Sequence, residues 1–457
     1  MATQSRRLPA AEPPESEEQH EPFVLGSVTE KISSTIFGRT PLWWWIGFGV
    51  SSLLLLIFAY TLLAIAVEGT GLWGINVPIV WGMGIVNLIF WIGIGHAGTF
   101  ISAFLLLMRQ HWRGTFSRFA EAMTLFALTT AGLFPLFHVG RPEMIYYILP
   151  YPNTMGLNPQ WRSPLVWDFI AITTYGIVSL IFWYIDLLPD LAAMRDKARK
   201  PSTKRFYGLL SMGWRGDAGH WEGLHKTSYI LAAIATPLVI SVHSIVGLDF
   251  AISIAPGWHH TIFPPFFVGG AIFSGLAMVI IFATLLRSGF NMQRLIPLKH
   301  LDNAAKLMLV TGLIVVYGYI IETFGAWYTG EPHEWALVVN RALGPYAPTF
   351  WGMIIFNGVV IQALWFKRVR RNPTLLILIS LSVLIGMWLE RWVIVPVSLS
   401  YTYLPGTWEI FNVTIWDILT LISPFGLFFT AMFVFIRILP VLPIHETQAV
   451  AVEESRE

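Results

Sequence analysis

The sequence predicts an all-α integral membrane protein with ten transmembrane helices and both termini in the cytoplasm. Charged residues make up only 12% of the chain and hydrophobic residues 55%, whereas about a quarter of a typical soluble domain is charged. Apolar runs long enough to cross about 30 Å of hydrocarbon recur along nearly all of the 457 residues. The predicted spans are residues 42–67, 78–108, 119–138, 163–188, 226–252, 262–287, 302–325, 345–366, 373–397 and 411–439.

The positions of the basic residues test this number of helices, because Lys and Arg accumulate in short cytoplasmic loops. An even number of spans places both termini on one side of the membrane. If that side is the cytoplasm, it holds 25 of the 29 Lys and Arg residues, and the outer side holds only Arg141, Arg162, Arg341 and Arg391. An error of one helix would destroy this asymmetry. His138 and Asp168 therefore face the outer side.

The segments outside the spans are mostly polar. Residues 1–41 are rich in Pro and Glu and lack the charged, apolar and small-residue order of a signal peptide, which predicts a mostly disordered cytoplasmic tail. Residues 441–457 are predicted to form a second cytoplasmic tail. In an outer loop, residues 333–343 have the spacing of a short amphipathic helix that either lies on the membrane surface or docks a partner.

Helices two to five and six to nine are predicted to be two copies of one four-helix bundle. The start of the fourth helix, PLVWDFIAI, aligns without gaps with PTFWGMIIF at the start of the eighth. Four helices separate the copies, so the repeat is parallel. The alignment pairs Asp168 with Gly352 and Asp249 with Pro396, which favours the first bundle as the active one. The two predicted bundles are residues 78–252 and 262–397. The single helices that flank them are residues 42–67 and 411–440.

Ionisable residues inside a membrane cost about 2.5–3.5 kcal/mol each on insertion scales and usually mark function. His138 ends the third helix, Asp168 begins the fourth, and Asp249 ends the fifth at the same level. This cluster suits the oxidation of a hydroquinone, which releases two protons. A neutral His accepts a proton near pH 7, and an acid beside it orients the imidazole. We therefore interpret His138, Asp168 and Asp249 as a catalytic site for a quinol.

Each of these residues also has a structural interpretation. A His at a helix C-terminus can bind the last carbonyl groups, an acid complements a helix N-terminus, and Asp249 can be simply interfacial. Further candidates for binding the quinol are Arg141, Tyr146, Trp167 and Arg391. Structural ion pairs explain the two arginines as well, and the aromatic belt of a membrane interface explains Tyr146 and Trp167 as well. Candidates for a proton path, by position alone, are His96, Glu121, His243, Glu322 and Glu390.

The chain contains no cysteine, which excludes thiolate-bound iron–sulfur clusters, c-type haem attachment and disulfides within it. No metal site is predicted. A b-type cytochrome is one alternative function, but it needs His pairs at matched depth on facing helices, and His96 is predicted to lie deeper than His243. A secondary transporter is another alternative, because duplicated bundles also suit alternating access. Its substrate site should lie near the midplane, whereas most acids here lie at the outer edge.

Four features together resemble the NrfD-like family of polysulfide reductase membrane subunits, over about residues 42–440. They are GHAGTFISA in the second helix, HVGRP at the end of the third, SPLVWD at the start of the fourth, and the duplicated bundle. The resemblance implies a quinone-reactive membrane subunit that binds no haem or metal itself and exchanges electrons with an iron–sulfur partner. Ten helices with cytoplasmic tails look most like the ActC type of subunit in alternative complex III.

This resemblance implies oxidation of a quinol, menaquinol in preference to ubiquinol, at His138 and Asp168 with Asp249 nearby. Electrons would leave through an iron–sulfur subunit on the outer face to c-type haem subunits. A second, homologous NrfD-like membrane subunit would complete the membrane part of the complex. The resemblance also implies a multi-pass position in the lipid bilayer of the bacterial inner membrane, coupling to proton translocation, and no nucleic-acid partner.

Overall fold

The computed structural model of the protein describes residues 25–148 and 161–454. The regular structure of these residues is helical, and ten helices are long and apolar enough to span a membrane, as predicted. The helices are Leu25–Phe37 (α1), Leu42–Glu68 (α2), Met83–Leu107 (α3), Ser117–His138 (α4), Pro164–Lys197 (α5), Pro201–Leu210 (α6), Ala218–Ala251 (α7), Phe263–Gly289 (α8), Leu298–Thr329 (α9), Pro332–Leu343 (α10), Ala347–Ile354 (α11), Lys367–Arg370 (α12), Pro373–Trp392 (α13), Ile415–Ile422 (α14), Pro424–Ile438 (α15) and Ile444–Glu454 (α16).

Three of the ten spans are not single regular helices. The eighth span, Ala347–Trp365, continues α11 through a π-helical turn and a 3₁₀ stretch, and the ninth, Pro373–Val397, continues α13 through a second π-helical turn. The tenth combines α14 and α15, which meet at Pro424. Proline removes a backbone donor and π turns widen a helix, so these three spans are locally irregular. The predicted boundaries of all ten spans nevertheless agree with the structure to within about ten residues.

Local sequence explains where several helices begin. Pro164 occupies the first turn of α5, where the missing N–H costs nothing. The Asn372 side chain accepts hydrogen bonds from two backbone N–H groups at the start of α13, and Thr414 and Asp417 form a reciprocal capping box at the start of α14. These caps satisfy backbone donors that hydrocarbon cannot satisfy.

The helices of each predicted bundle pack against one another. In the first bundle, α3 packs on α4 and α7, and α5 packs on α7; in the second, α8 packs on α9 and α13, and α13 packs on α11. The bundles meet where α3 and α7 contact α8, so α3 and α8 are buried along most of their length. Residues 78–82, the predicted start of the first bundle, precede α3 and are not helical. The parallel relation of the two bundles and the cytoplasmic position of the termini stay predictions.

Both predicted tails contain helices that pack on the membrane helices. Residues 1–24 lie outside the described residues, but α1 follows them and contacts α15 and α16. Arg437, at the end of α15, donates hydrogen bonds to the backbone oxygens of Thr35 and Gly38. The predicted tail at 441–457 begins with Val441 and Leu442, which are fully buried. These apolar and charged contacts explain why residues near the tails are ordered.

Two glycines set the closest approaches of α3 to its neighbours. A Cβ atom at Gly98 would lie 1.9 Å from the backbone oxygen of Ala120 on α4, and one at Gly275 on α8 would lie 1.9 Å from the Cβ atom of Ala97. Small residues at these crossings let helices pack closely in a membrane, where van der Waals contact replaces the hydrophobic effect. The positions of His96 and its neighbours on α3 depend on this packing.

We expect Gly98→Ala to destabilise the protein, because the added methyl group forces α3 and α4 apart and overpacking costs about 1–3 kcal/mol. Gly132→Ala is the matched control, since a Cβ atom at Gly132 on α4 meets nothing within 4 Å. Thermal unfolding of the purified protein should show a lower midpoint for the first variant and an unchanged or slightly higher one for the second. Equal midpoints for both variants would contradict the close packing of α3 on α4.

Candidate functional site

Two acids lie together at one end of the first bundle. Asp168 follows the first turn of α5, and Asp249 lies in the last turn of α7. Because α5 and α7 pack along each other, the two carboxyl groups interact directly. One oxygen of each is buried without a hydrogen-bonding partner among the described residues. This end, named the outer end after the predicted topology, therefore presents a pair of carboxyl groups with free acceptor atoms.

His138 ends α4 at the same end of the bundle and is partly buried. Its ring stacks on that of Trp73, with centroids 6.4 Å apart and an interplanar angle of 27°. Within the described residues, no hydrogen bond or ion pair joins His138 to Asp168. The direct His–Asp contact expected from the sequence is thus absent there, and Asp249 is the group that contacts Asp168.

Trp73 is a residue of this site that the sequence analysis did not identify. It lies in the short connection between α2 and α3, is almost fully buried, and donates a hydrogen bond from Nε1 to Thr420 Oγ1 at 2.9 Å. This bond fixes the indole beside the imidazole of His138. No local pattern in the sequence distinguishes Trp73 from the other tryptophans near membrane interfaces, because its partner Thr420 is on α14.

Of the predicted quinol-binding residues near His138, two are exposed and Trp167 is half-buried. Arg141 is exposed and makes no ion pair with a described residue. Tyr146 is also exposed and stacks on Tyr147 with ring centroids 4.6 Å apart. Trp167 donates from Nε1 to the backbone oxygen of Trp161 at 2.7 Å. The loop residues 149–160, which connect these positions, lie outside the described residues.

Arg391 is not part of the outer-end cluster. It is buried on α13, forms an ion pair with Glu390, and lies over the ring of Phe267 at 4.5 Å. Glu390 also accepts a hydrogen bond from the Tyr319 hydroxyl, and Asn357 donates to that hydroxyl at 2.8 Å. The buried Arg391 charge is therefore compensated within the second bundle.

A second ion pair lies near the outer end of the second bundle. Arg341, on α10, pairs with Glu322 at 2.6 Å and donates to Ser398 Oγ at 2.7 Å. A small cavity of about 20 Å³ lies between Glu322, Glu390 and Tyr319. The two proton-path candidates of this bundle, Glu322 and Glu390, thus line one cavity and each has a cationic partner.

The two buried histidines of the first bundle are in contact. The rings of His96 on α3 and His243 on α7 are 4.0 Å apart and nearly perpendicular. The prediction that His96 lies deeper than His243 was therefore wrong, because the packing of α3 on α7 sets the relative level of the two residues. The contact leaves no space for a haem between the imidazoles, so this pair does not fit the axial ligands of a b-type cytochrome.

None of the four ring nitrogens of this histidine pair has a hydrogen-bonding partner among the described residues. The ring of Tyr175 on α5 lies 4.4 Å from that of His96 at a tilt of 42°, and the Tyr175 hydroxyl donates to the His96 backbone oxygen at 3.2 Å. Thr99 and Ser179, which follow toward the opposite end of the bundle, also carry unpaired hydroxyl groups. Polar atoms therefore continue through the middle of an otherwise apolar bundle.

A cluster of charged residues closes the inner end of this bundle. Glu121 on α4 is fully buried and accepts a hydrogen bond from Ser102 on α3. Arg113 contacts Ser102 Oγ at 3.2 Å, Glu121 at 3.5 Å and Asp186 on α5 at 2.5 Å. Ser228 on α7 donates to Asp186 at 2.5 Å. The sequence identified Glu121 as a candidate by position, but not its partners Arg113 and Asp186.

Glu334 holds an outer loop against the second bundle and was also not identified. Both of its oxygens accept from the backbone N–H of Gly257 at 2.9 Å, and each contacts one of two histidines, His259 and His260, at 3.3 Å. Burial alone raises the pKa of Glu334, but the hydrogen bonds from His260 and Gly257 outweigh it and lower the pKa. Burial alone lowers the pKa of His260, but the hydrogen bond and the charge of Glu334 outweigh burial, so the pKa of His260 is raised.

This contact stabilises the loop most between pH 4.5 and 6.5, the usual pKa values of Glu and His. Below that range the stabilisation is lost as the pH falls through the lowered pKa of Glu334. Above it, the stabilisation is lost as the pH rises through the raised pKa of His260. The helix α10 that carries Glu334 matches the amphipathic helix predicted at residues 333–343.

Among the described residues, no group of three or more His, Asp or Glu side chains has an arrangement that could hold a metal ion. The acids and histidines instead form pairs with each other or with Arg, as the contacts above show.

Comparison with known proteins gives one family over most of the chain. A family model described as "Polysulphide reductase, NrfD" matches residues 72–401. A Halobacterium salinarum protein, named as a membrane subunit of dimethyl sulfoxide reductase, is 26% identical over 316 residues, which cover 68% of this chain and 67% of the relative. A selenate reductase subunit of Mesobacillus selenatarsenatis is 25% identical over 328 residues, covering 69% of this chain and 73% of the relative.

Proposed function

Because the chain belongs to the NrfD family of polysulphide reductase membrane subunits, we propose that it is the quinol-oxidising membrane subunit of an electron-transfer complex. The matched relatives are named as subunits of reductases, and this chain likewise is a multi-pass membrane protein of a redox complex. The finer proposal is an ActC-like subunit of an alternative complex III in the bacterial inner membrane, with menaquinol as substrate.

The observation that carries the proposal is the carboxyl pair of Asp168 and Asp249 at the outer end of the first bundle, with His138 at the same end. Both acids keep a buried oxygen without a partner among the described residues, and such atoms fit the two hydroxyl donors of a hydroquinone. Two adjacent carboxylates resist carrying a charge at the same time, so the pair holds one proton and can accept another.

The reaction requires two protons and two electrons to leave the hydroquinone. One hydroxyl proton passes to the ionised carboxylate of the Asp168 and Asp249 pair, and the other to the neutral imidazole of His138. Trp73 holds the imidazole in place through its stacking contact. Both protons then leave toward the outer aqueous phase, which this end of the bundle faces in the predicted topology.

The electrons must pass to another subunit, because the chain has no cysteine for an iron–sulfur cluster. We propose an iron–sulfur subunit docked on the outer face, followed by c-type haem subunits and accompanied by a homologous NrfD-like membrane subunit. The site lies at the end of the bundle where such a partner would dock. Electrons would therefore travel only a short distance from the quinol to the iron–sulfur subunit.

We further propose that quinol oxidation drives protons through the first bundle. The polar atoms of the pair His96 and His243, of Tyr175 and of Glu121 run from the outer-end acids toward the inner end. The unpaired ring nitrogens and hydroxyls fit ordered water molecules between them.

A map of the whole complex with quinone bound tests the substrate site. We expect the quinone ring at the outer end of the first bundle, with an oxygen about 2.6–3.2 Å from a carboxyl oxygen of Asp168 or Asp249, or from the His138 ring. The Asp168→Leu variant is the control, since it removes one acceptor and should reduce quinone occupancy. A quinone found only in the second bundle would overturn the assignment.

A further inference from the structure

The C-terminal helix α16 covers the inner end of the first bundle. The backbone N–H of Ile444 donates to Asp190 on α5 at 3.1 Å, and the Glu446 carboxylate pairs with the guanidinium of Arg113. Gln448 donates to Thr29 on α1 at 3.0 Å. Helix α16 therefore lies across the polar column of the first bundle and supplies a carboxylate to it.

Arg113 is shared by three carboxylates that differ in their access to water. Its guanidinium contacts Glu446, Asp186 and Glu121. The exposed fraction of the side chain is 33% for Glu446, 11% for Asp186 and 1% for Glu121. Arg118, which pairs with Asp190 at 2.8 Å, is a second cation beside this cluster. Two cations thus face four carboxylates, and the remaining negative charge favours the uptake of a proton. The gradient of exposure makes Glu446 the first group that a proton from solution reaches.

Two cavities approach this cluster from the inner face. One of about 60 Å³ is lined by Glu446, Asp186 and Ser228, among others. A larger one of about 290 Å³ lies beside it and shares Trp221 and His445 with its lining. Both are large enough to hold water between polar side chains. The smaller cavity thus places space for water against Glu446 and Asp186.

Two other ionisable groups contact Glu446 or lie next to it, and neither is suited to receive a proton from solution. Burial lowers the pKa of His445 and His225 lowers it further, while Glu446 raises it by less, so the net effect is a lowered pKa. Burial alone lowers the pKa of Arg113, but the attraction of Glu446, Asp186 and Glu121 outweighs it and raises the pKa. Arg113 therefore stays a cation and holds the acids without exchanging a proton.

We propose that Glu446 is the carboxylate through which protons enter the polar column from the inner aqueous phase; this inference rests on the proposed coupling of quinol oxidation to proton movement. A hydronium ion of the inner aqueous phase donates a proton to the Glu446 carboxylate and becomes water. The protonated Glu446 is neutral and loses its ion pair with Arg113. The proton then passes through water in the cavity to Asp186, and from there to Glu121. Glu446 is left ionised and binds Arg113 again.

The test uses the complete complex in liposomes. The inner face of the complex is on the side of the membrane that contains a pH dye, and added quinol starts the reaction. We expect Glu446→Gln to slow proton uptake by about tenfold or more at pH 8, where protons are scarce. Added formate should restore part of the rate, because a small diffusible acid can replace a lost proton donor. Glu446→Asp should keep most of the uptake.

Two controls separate this role from a purely structural one. Gln448→Ala weakens the contact of α16 with α1 but keeps the carboxylate, and Glu222→Gln removes an exposed acid on α7; both should take up protons at the unaltered rate. Uptake by Glu446→Gln at the unaltered rate, or a defect that formate does not relieve and that Gln448→Ala shares, would overturn the proposal. If the unaltered complex oxidises quinol without any uptake, the proposed coupling fails and the role of Glu446 with it.

Discussion

Asp168→Asn should lower quinol-driven electron transfer by about 100-fold or more, the usual effect of removing a general base. Asparagine keeps the shape of the side chain, but its amide cannot accept a proton from the hydroquinone. His138→Ala should have a similar effect, because it removes the second acceptor and the stacking partner of Trp73. Both variants should leave the complex assembled and its metal centres intact.

The measurement is quinol-driven reduction of the acceptor by the purified complex, with absorption spectra to quantify its metal centres. Glu143→Gln is the matched control, since Glu143 is an exposed acid in the loop that follows His138, and it should turn over normally. Near-normal turnover in both Asp168→Asn and His138→Ala would refute the assignment of the catalytic site. Loss of the metal centres in a variant would instead indicate failed assembly.

Glu121→Gln should abolish proton uptake from the inner side while the first turnover of quinol oxidation persists. Glutamine can still accept the hydrogen bond from Ser102, but it does not carry a proton. The outer-end site is unchanged, so electrons still leave the hydroquinone. We expect uptake to fall by about 100-fold, measured with a pH dye in liposomes beside a single-turnover assay of electron transfer.

Glu121→Asp is the conservative control, and we expect it to retain part of the uptake because it restores an ionisable carboxyl group. Proton uptake that is unchanged in Glu121→Gln would show that the path does not pass through the first bundle. Equal loss of electron transfer and uptake would place Glu121 in the quinol reaction itself.

The ten spans could be predicted from the sequence because hydrocarbon imposes a minimum apolar length on each helix. The surface helix α10 could be predicted for a similar reason, since its amphipathic spacing is local. The position of Asp168 and Asp249 at one end followed from topology alone. Each of these inferences needs only residues close together in the chain.

The partners of the site residues could not be predicted, because they are distant in sequence. The contact between His96 and His243 depends on the packing of α3 on α7, and the support of His138 by Trp73 depends on α14. Arg391 is the exception, because its partner Glu390 is the preceding residue on the same helix. The packing of α16 on the first bundle could not be predicted, because nothing in a polar tail sequence indicates where it binds.

Asn87 on α3 has a consequence for how the protein is made. It donates a hydrogen bond to the backbone oxygen of Thr420 and accepts one from the Trp388 indole. These partners follow it by 333 and 301 residues, so they leave the ribosome long after α3 has inserted into the membrane. Until the last helices arrive, the Asn87 amide has to be satisfied by something else. Chains that terminate before α13 should therefore be preferred targets of membrane quality control.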